Sequence, residues 1–482
     1  MAYIGDQLDI FAGKTPDGTA LTCGAVEVSW RDLFRAIGSA ENHIRRLSPR
    51  GGRIALLLRD PAELIVWFFA CARTARVAVV MDPDWPPAQK TAVLAGIDAD
   101  LEIDAAACAA LREVSAAAPA ISSPAEEPPP AEDDFFYAGF TSGSSGTPKG
   151  YIRMHGSWLE SFALTRREFP TAPRPPGRVV LAGQLTHSLH LYGAVCGLAS
   201  GQEVVLLPRF EPRAVLAELR NAPAGAVLYA TPTQLHYLAE GASRGEPVET
   251  VVQVFASGAK WRDEDRRALR KVFPKADLIE FYGASEASFI TVAKPEENVP
   301  AGSVGRAAAG VRIAIGDPAA PAPAGVTGSI WVKSSLLFSG YICGHAPETR
   351  WQDGWLTLGD HGFVDAAGFL FLTGRENRMI ITSGLNVYPE EVEEVLSAHP
   401  AVAIAVVAGL ADKVRGQRLE AAVQLSLPLE DAETVLLRHC RAHLAAGKLP
   451  RKIHVRHRLP LTAGGKPDIQ KIIAELQRKE SM

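Results

Sequence analysis

Paired cysteines are missing from this chain of 482 residues. Its six cysteines (Cys23, Cys71, Cys108, Cys196, Cys343 and Cys440) stand singly, with no CxxC pair and no Cys/His cluster. That excludes a recognisable structural zinc motif and fits reduced cytoplasmic thiols better than a disulfide framework. A basic surplus is missing too. Fifty Lys+Arg against 54 Asp+Glu leave a net charge of −4, which argues against nucleic acid as the main partner. The first residues, MAYIGDQLDIF, lack a cationic segment followed by an apolar run, so no signal peptide is expected. The most apolar stretch, residues 64–81, is interrupted by Arg73 and Arg76, too short a run for a membrane span. No internal repeat is visible. The expectation is a soluble, cytoplasmic protein with no stable membrane insertion.

What is present is alternation. Residues 53–58, 77–81, 178–182 and 203–208 read as buried strands, separated by helix-period segments such as residues 213–219 with Val215, Leu216 and Leu219 on one face. This pattern predicts an α/β fold with largely parallel sheets. Residues 117–134 (AAPAISSPAEEPPPAEDD) are rich in proline and acid and read as an exposed connector. A boundary near GREN (residues 374–377) predicts a large N-terminal domain, 1–376, and a small α+β C-terminal domain, 377–482. In the latter, PEEVEEVL (residues 389–396) has proline at the first helical position, acids in the first turn and Val392, Val395 and Leu396 on an apolar face. A last helix is predicted after Pro467, with Ile469, Ile472, Ile473 and Leu476 in line.

The densest chemical signal is FTSGSSGTPKG (residues 140–150), directly after an apolar aromatic strand. Glycines let backbone N–H groups approach phosphate oxygens, hydroxyls add donors and Lys149 adds charge. The glycine spacing, and Gly150 after the lysine, differ from the standard P-loop.

In this run the sequence resembles the adenylate-forming superfamily of acyl- and aryl-CoA ligases, stand-alone adenylation domains and luciferases, with Ser145 where threonine is more usual. The resemblance continues in order: FYGASE (281–286), GWLTLGD (354–360) with Gly374-Arg375, SGLNVYPEEVE (383–393) and LPLTAGGK (459–466). It implies ATP, Mg²⁺ and CoA as cofactors and co-substrates. Thr141, Ser142, Gly143, Ser144, Ser145, Gly146 and Lys149 would take the ATP phosphates, with Gly258, Ala259, Tyr282, Gly283 and Ser285 around the nucleotide. Tyr282 would pack on adenine, Asp360 accept from the ribose hydroxyls, and Arg375 contact ribose and phosphate. Glu286 would hold the Mg²⁺, a hard cation that takes a carboxylate and phosphate oxygens.

The resemblance makes Lys466, Glu286 and His187 the catalytic set, with Lys466 reaching between the substrate carboxylate and the α-phosphate. His187, Ser188, Gly258 and Gly283 would line the carboxylic-acid pocket. Ser188 stands where amino-acid-activating domains keep an aspartate, which argues against an ammonium-bearing substrate. Asn377 falls at the hinge, and Arg378 follows it where a second acid is frequent. Gly384 opens the loop of the thioester step. The implied activity is ATP-dependent activation of an apolar aryl or fatty acid to an acyl-AMP, then transfer to CoA. The alternative acceptor is the phosphopantetheine of an acyl carrier protein, and a rival of another class is a nucleotide-binding module that no longer catalyses. Arg415, Arg418, Lys448, Arg451 and Lys452 are the cations expected to meet the phosphates of CoA.

Overall fold

The structure, a computed structural model, describes residues 1–109, 127–141, 148–170, 177–207, 209–222, 225–242, 245–258, 261, 263–294, 297–382, 385–412, 415–461 and 467–478. Its contacts divide the chain into two compact units. The first comprises Met1–Ile313, Val332–Pro347 and Gly368–Leu370, and the second Ala314–Trp331, Glu348–Ala367 and Phe371–Met482.

In the first unit one sheet runs in the order Gly340–Cys343, Lys149–Met154, Phe135–Thr141, Val77–Val80, Arg53–Leu56, Leu101–Ile103. Its last four strands are parallel, whereas Phe135–Thr141 and Lys149–Met154 form an antiparallel pair that sets Thr141 opposite Lys149. A second sheet runs from Ser303–Ala307 through Ser288–Ala293, Asp277–Ala284, Val251–Ala256, Ala226–Ala230, Arg178–Leu181, Glu203–Leu206 and Thr19–Cys23 to Val26–Ser29. It is parallel from Asp277–Ala284 to Thr19–Cys23, as the apolar runs predicted. Such strands are covered on both faces. Val180, Leu228, Val254 and Leu278 pack under Leu216, Leu235 and Leu269 from the flanking helices.

The apolar stretch 64–81 is a helix, Pro61–Arg73, followed by a strand, Val77–Val80. Asp60 caps the helix by accepting from the backbone N–H groups of Ala62 (2.8 Å) and Glu63 (3.3 Å). The two arginines that break the run are both used: Arg73 pairs with Glu41, and the buried Arg76 with Glu127. The connector is therefore tied down at its described end, where Arg50 also donates to the carbonyl of Pro128 and to Asp134. No helix among the described residues is long and apolar enough to cross a membrane.

The second unit contains a five-stranded sheet. Its path is Leu385–Val387, Ile380–Thr382, Gly416–Leu425, Val402–Asp412, with Lys452–Arg456 pairing parallel to Gly416–Leu425. Helices Pro389–Ser397 and Ala432–His443 bury Val392, Leu396, Leu436 and Cys440 against Val407, Leu419 and Ile453. The last helix, Ile469–Arg478, buries Ile472 and Leu476 with Val406, Leu410 and Leu459. Both helices predicted in this region are present. The same unit carries the strand Asp360–Val364, paired with Gly328–Lys333.

Candidate active site

Glu286 sits in the tight connection of a hairpin. Strands Asp277–Ala284 and Ser288–Ala293 pair antiparallel with Ala284 opposite Ser288, leaving Ser285, Glu286 and Ala287 between them. The N–H of Ala287 donates to the carbonyl of Ala284 at 3.0 Å, and Ser288 follows with φ +55°. The turn Ala284–Ala287 is thus closed by its own hydrogen bond and followed by one left-handed residue. Gly283 is required at its start, because a Cβ there would collide with the carbonyl of Ser288.

The Glu286 side chain is only 6% exposed. Its Oε1 accepts from the Tyr341 hydroxyl at 2.9 Å and from Thr141 Oγ1 at 3.4 Å, and its carbonyl accepts from the N–H of Phe338 at 2.7 Å. The Tyr341 ring lies 5.7 Å from the ammonium of Lys149, a cation–π contact. Thr141 and Tyr341 thus meet on the Glu286 carboxylate, with Lys149 against the Tyr341 ring. Among the described residues no group of three or more His, Cys, Asp or Glu side chains is placed to hold a metal. A single buried carboxylate fits a Mg²⁺ that takes its other ligands from water and phosphate oxygens, and does not fit an all-protein cage.

Hydroxyls continue the network. Ser285 Oγ meets Ser188 Oγ at 2.8 Å, which ties the first residue of helix Ser188–Ala199 to the Glu286 hairpin. Tyr151, beside them, bonds the Tyr137 hydroxyl at 2.7 Å, and burial pushes its phenol up to about 12. A Cβ on Gly139 would collide with both of those hydroxyls. His187 is the exposed residue that precedes the helix, its ring edge-on to His190 at 6.3 Å. His190 is buried, and desolvation pushes it down to about 4, so it is neutral. Tyr282 is half-buried opposite Thr291, and Gly258 is exposed with φ +99°.

In the second unit Asp360 is 7% exposed at the start of its strand, and Arg375 Nε pairs with its Oδ1 at 2.9 Å. Gly359 turns the chain there at φ +79°, where a Cβ would press on Glu348. Beside Asp360, His361 Nδ1 bonds the Tyr388 hydroxyl at 2.5 Å and its Nε2 bonds Ser329 Oγ at 3.1 Å. Burial lowers His361 below the ordinary histidine range.

Asn377 is exposed between two anchored neighbours. On one side Glu376 is held by both nitrogens of Arg350 at 3.1 and 2.9 Å, and its N–H donates to the carbonyl of Gly359. On the other, Arg378 donates to Glu390 at 2.8 Å and to Glu393 at 2.6 and 3.2 Å, both on helix Pro389–Ser397. Asn377 is the residue left without a hydrogen bond in that span, among the described residues.

Ser142, Gly143, Ser144, Ser145, Gly146, Ala259, Gly384 and Lys466 lie outside the described residues. Of the cations expected to meet CoA, Lys448 is committed to Glu391 at 2.7 Å and Arg418 to Glu420 at 2.8 Å, whereas Arg451 and Lys452 are exposed. The sequence reading missed Tyr341 and Arg153. Tyr341 has no local motif, and it reaches Glu286 only because its strand pairs with Tyr151. Arg153 had one available signal, a charge between the apolar Ile152 and Met154 of its strand.

The AMP-binding enzyme family model matches residues 8–342, and the AMP-binding enzyme C-terminal domain model matches residues 391–466. An uncharacterized acyl–CoA ligase of Bacillus subtilis (strain 168) is 36% identical over 470 residues, 94% of each chain. A 2-succinylbenzoate–CoA ligase of Bacillus licheniformis is 27% identical, across 94% of this chain and 96% of its own. Among solved structures, o-succinylbenzoate CoA synthetase from Bacillus subtilis, in complex with its acyl-adenylate intermediate, superposes with a TM-score of 0.84 at 26% identity, covering 97% of both chains. The same enzyme with ATP and magnesium ion gives 0.85, over 97% of this chain and 99% of that one. This chain belongs to the AMP-binding enzyme family.

Proposed function

We propose that the chain is an AMP-forming acid–thiol ligase that joins an apolar carboxylic acid, aryl or fatty acyl, to CoA. The observation that carries this reading is the buried Glu286 carboxylate, held by Thr141 and by Tyr341, whose ring meets Lys149. In the first half-reaction a carboxylate oxygen attacks the α-phosphorus of ATP, the bond to the β-phosphate oxygen breaks, and pyrophosphate leaves. Mg²⁺ on Glu286 would neutralise phosphate charge. Thr141 and Lys149 bind the phosphates, Asp360 and Arg375 the ribose, and Tyr282 the adenine. Lys466 meets the charge that develops between carboxylate and phosphate. In the second half-reaction the thiol sulfur attacks the acyl carbon, and AMP leaves with the oxygen that joined them.

The functional division proposed lies between residues 376 and 377. The anchors on Glu376 and Arg378 support it, because they leave Asn377 as the one joint between them. Rotation there withdraws Lys466 and brings the Gly384 loop to the thiol. Ser188, engaged by Ser285, offers no charge to an ammonium, which supports an acid without an α-amino group. Exposed Arg451 and Lys452 support CoA as the acceptor; the phosphopantetheine of a carrier protein is the alternative. A cytoplasmic location follows from the supply of ATP and CoA.

A panel of benzoic, cinnamic and fatty acids tests the reading, with ATP, Mg²⁺ and free CoA, pantetheine or a phosphopantetheinylated carrier. Acid-dependent pyrophosphate release with thioester formed fastest on CoA is expected. Release with no acid of the panel overturns the ligase reading, and a carrier that reacts far faster than CoA replaces the acceptor.

A further inference from the structure

We propose that Arg153 is the positioning residue that holds Glu286 for its metal, by clamping together the two stretches of backbone that grip this carboxylate. The inference rests on the reading of Glu286 as the Mg²⁺ residue.

Arg153 lies on the strand Lys149–Met154 and is 0% exposed. Its Nη1 donates to the carbonyl of Ser285 at 2.8 Å, and its Nη2 donates to Ser288 Oγ at 2.8 Å and to the carbonyl of Leu336 at 2.6 Å. Its Nε donates to Ser157 Oγ at 3.2 Å, and Ser157 in turn donates to the carbonyl of Met154 at 2.8 Å. Every one of these acceptors is neutral, and no carboxylate takes a hydrogen bond from Arg153 among the described residues. A guanidinium in that setting is costly to bury, and a leucine or methionine would fill the space at lower cost. What a guanidinium adds is a rigid fork of five donors.

The fork spans two segments. Ser285 and Ser288 bracket Glu286 in its hairpin. Leu336 begins the stretch whose Phe338 N–H donates to the Glu286 carbonyl and whose Tyr341 hydroxyl donates to its Oε1. Glu286 is therefore gripped from both sides, at backbone and carboxylate, and Arg153 fixes the separation of the two sides. Without it, three acceptors next to the site lose their donor together and the hairpin is free to shift. A carboxylate that has shifted still leaves room for ATP, but it no longer completes the coordination of a metal that demands near-ideal geometry.

The readout is the gain in ATP affinity that Mg²⁺ provides, measured by calorimetry on the full chain as the ratio of ATP Kd with EDTA to ATP Kd with Mg²⁺. For Arg153→Met this ratio should fall about tenfold while metal-free ATP affinity stays within about twofold of the parent. Arg153→Lys, which keeps one donor group, should recover part of the loss. Ser288→Gly removes one acceptor at a left-handed position that glycine suits, and should lower the ratio about two- to threefold. A role in stability alone would lower the unfolding midpoint and leave the ratio untouched. If Arg153→Met does not fold, the lysine and glycine variants decide. An unchanged ratio in these variants, or an equal loss with and without Mg²⁺, overturns the proposal. Glu286→Gln separates the premises. If it keeps the full ratio, the reading of Glu286 fails and this inference with it. If it loses the ratio while the Arg153 and Ser288 variants keep theirs, only the inference fails.

Discussion

Removing the Arg378 side chain should weaken the C-terminal sheet, and weaken it most at neutral pH. Arg378 makes three hydrogen bonds of 2.6–3.2 Å to Glu390 and Glu393 and lends a fourth donor to the carbonyl of Val407. Glu393 in turn accepts from the N–H of Val407 at 2.8 Å, so the cluster joins helix Pro389–Ser397 to strand Val402–Asp412. Breaking a fully buried pair costs roughly 3–5 kcal/mol, and exposed pairs under about 1. The side chains here are 19%, 31% and 17% exposed, so an intermediate loss of roughly 2 kcal/mol is expected for Arg378→Ala. The pH dependence has a definite sign. Burial already raises the Glu390 carboxyl above its ordinary value even with Arg378 beside it. Deleting the cation raises it further, so the folded variant takes up protons more readily than the unfolded chain. The deficit is then full at pH 7 and shrinks as pH falls through the raised carboxyl values toward the ordinary range near about 4.3. Hydrogen exchange in Val402–Asp412, corrected for intrinsic rates, reads this directly. Protection should fall about thirtyfold at pH 7 and less at pH 5. A loss below about 0.5 kcal/mol at pH 7, or a larger one at pH 5, would refute the reasoning.

Tyr341→Phe keeps the ring against Lys149 but deletes the donor to Glu286, and should cost about tenfold or more in kcat/KM for Mg·ATP; unchanged kinetics would remove Tyr341 from the site. His155 accepts from the N–H of Ile4 at 3.0 Å, and burial pushes it down to about 3, so its stabilising effect is complete above about pH 6.5 and is lost as pH falls toward 3. Unfolding free energy should drop by about 2 kcal/mol from pH 7 to 5 through this residue alone, and His155→Gln should remove that share of the slope. Replacing both Arg451 and Lys452 by alanine should raise the KM for CoA about threefold or more at low salt and leave pantetheine unaffected, with the difference vanishing at high salt. An equal effect on pantetheine would exclude a role in meeting the CoA phosphates.

The residues that could be read in the sequence share one property: their chemistry is set by neighbours a few positions away. Lys149, Glu286 and Asp360 belong to short strings of glycines and hydroxyls that are recognisable in the sequence, and the helix Pro389–Ser397 announces itself by proline and acids. The parallel sheets were legible for the same reason, as apolar runs punctuated by turns. What escaped depends on pairings distant in the chain. Arg153 meets Leu336 across 183 positions, and Tyr341 meets Glu286 across 55. The meaning of Arg378 was equally hidden until Glu390 and Glu393 were seen to face it. Lys448 read as a cation for the CoA phosphates because nothing in its own segment shows Glu391 beside it, whereas Glu420 lies only two positions from Arg418 on one strand and was legible there.

The central claim is that one oxygen of the acid becomes bonded to the α-phosphorus of ATP before the thiol arrives. An accepted acid labelled with ¹⁸O in its carboxylate, turned over with ATP, Mg²⁺ and CoA, tests it by mass spectrometry of the products. The account predicts one labelled oxygen in AMP, none in pyrophosphate and one retained in the thioester. Label in a phosphate product other than AMP, or AMP free of label, would contradict it.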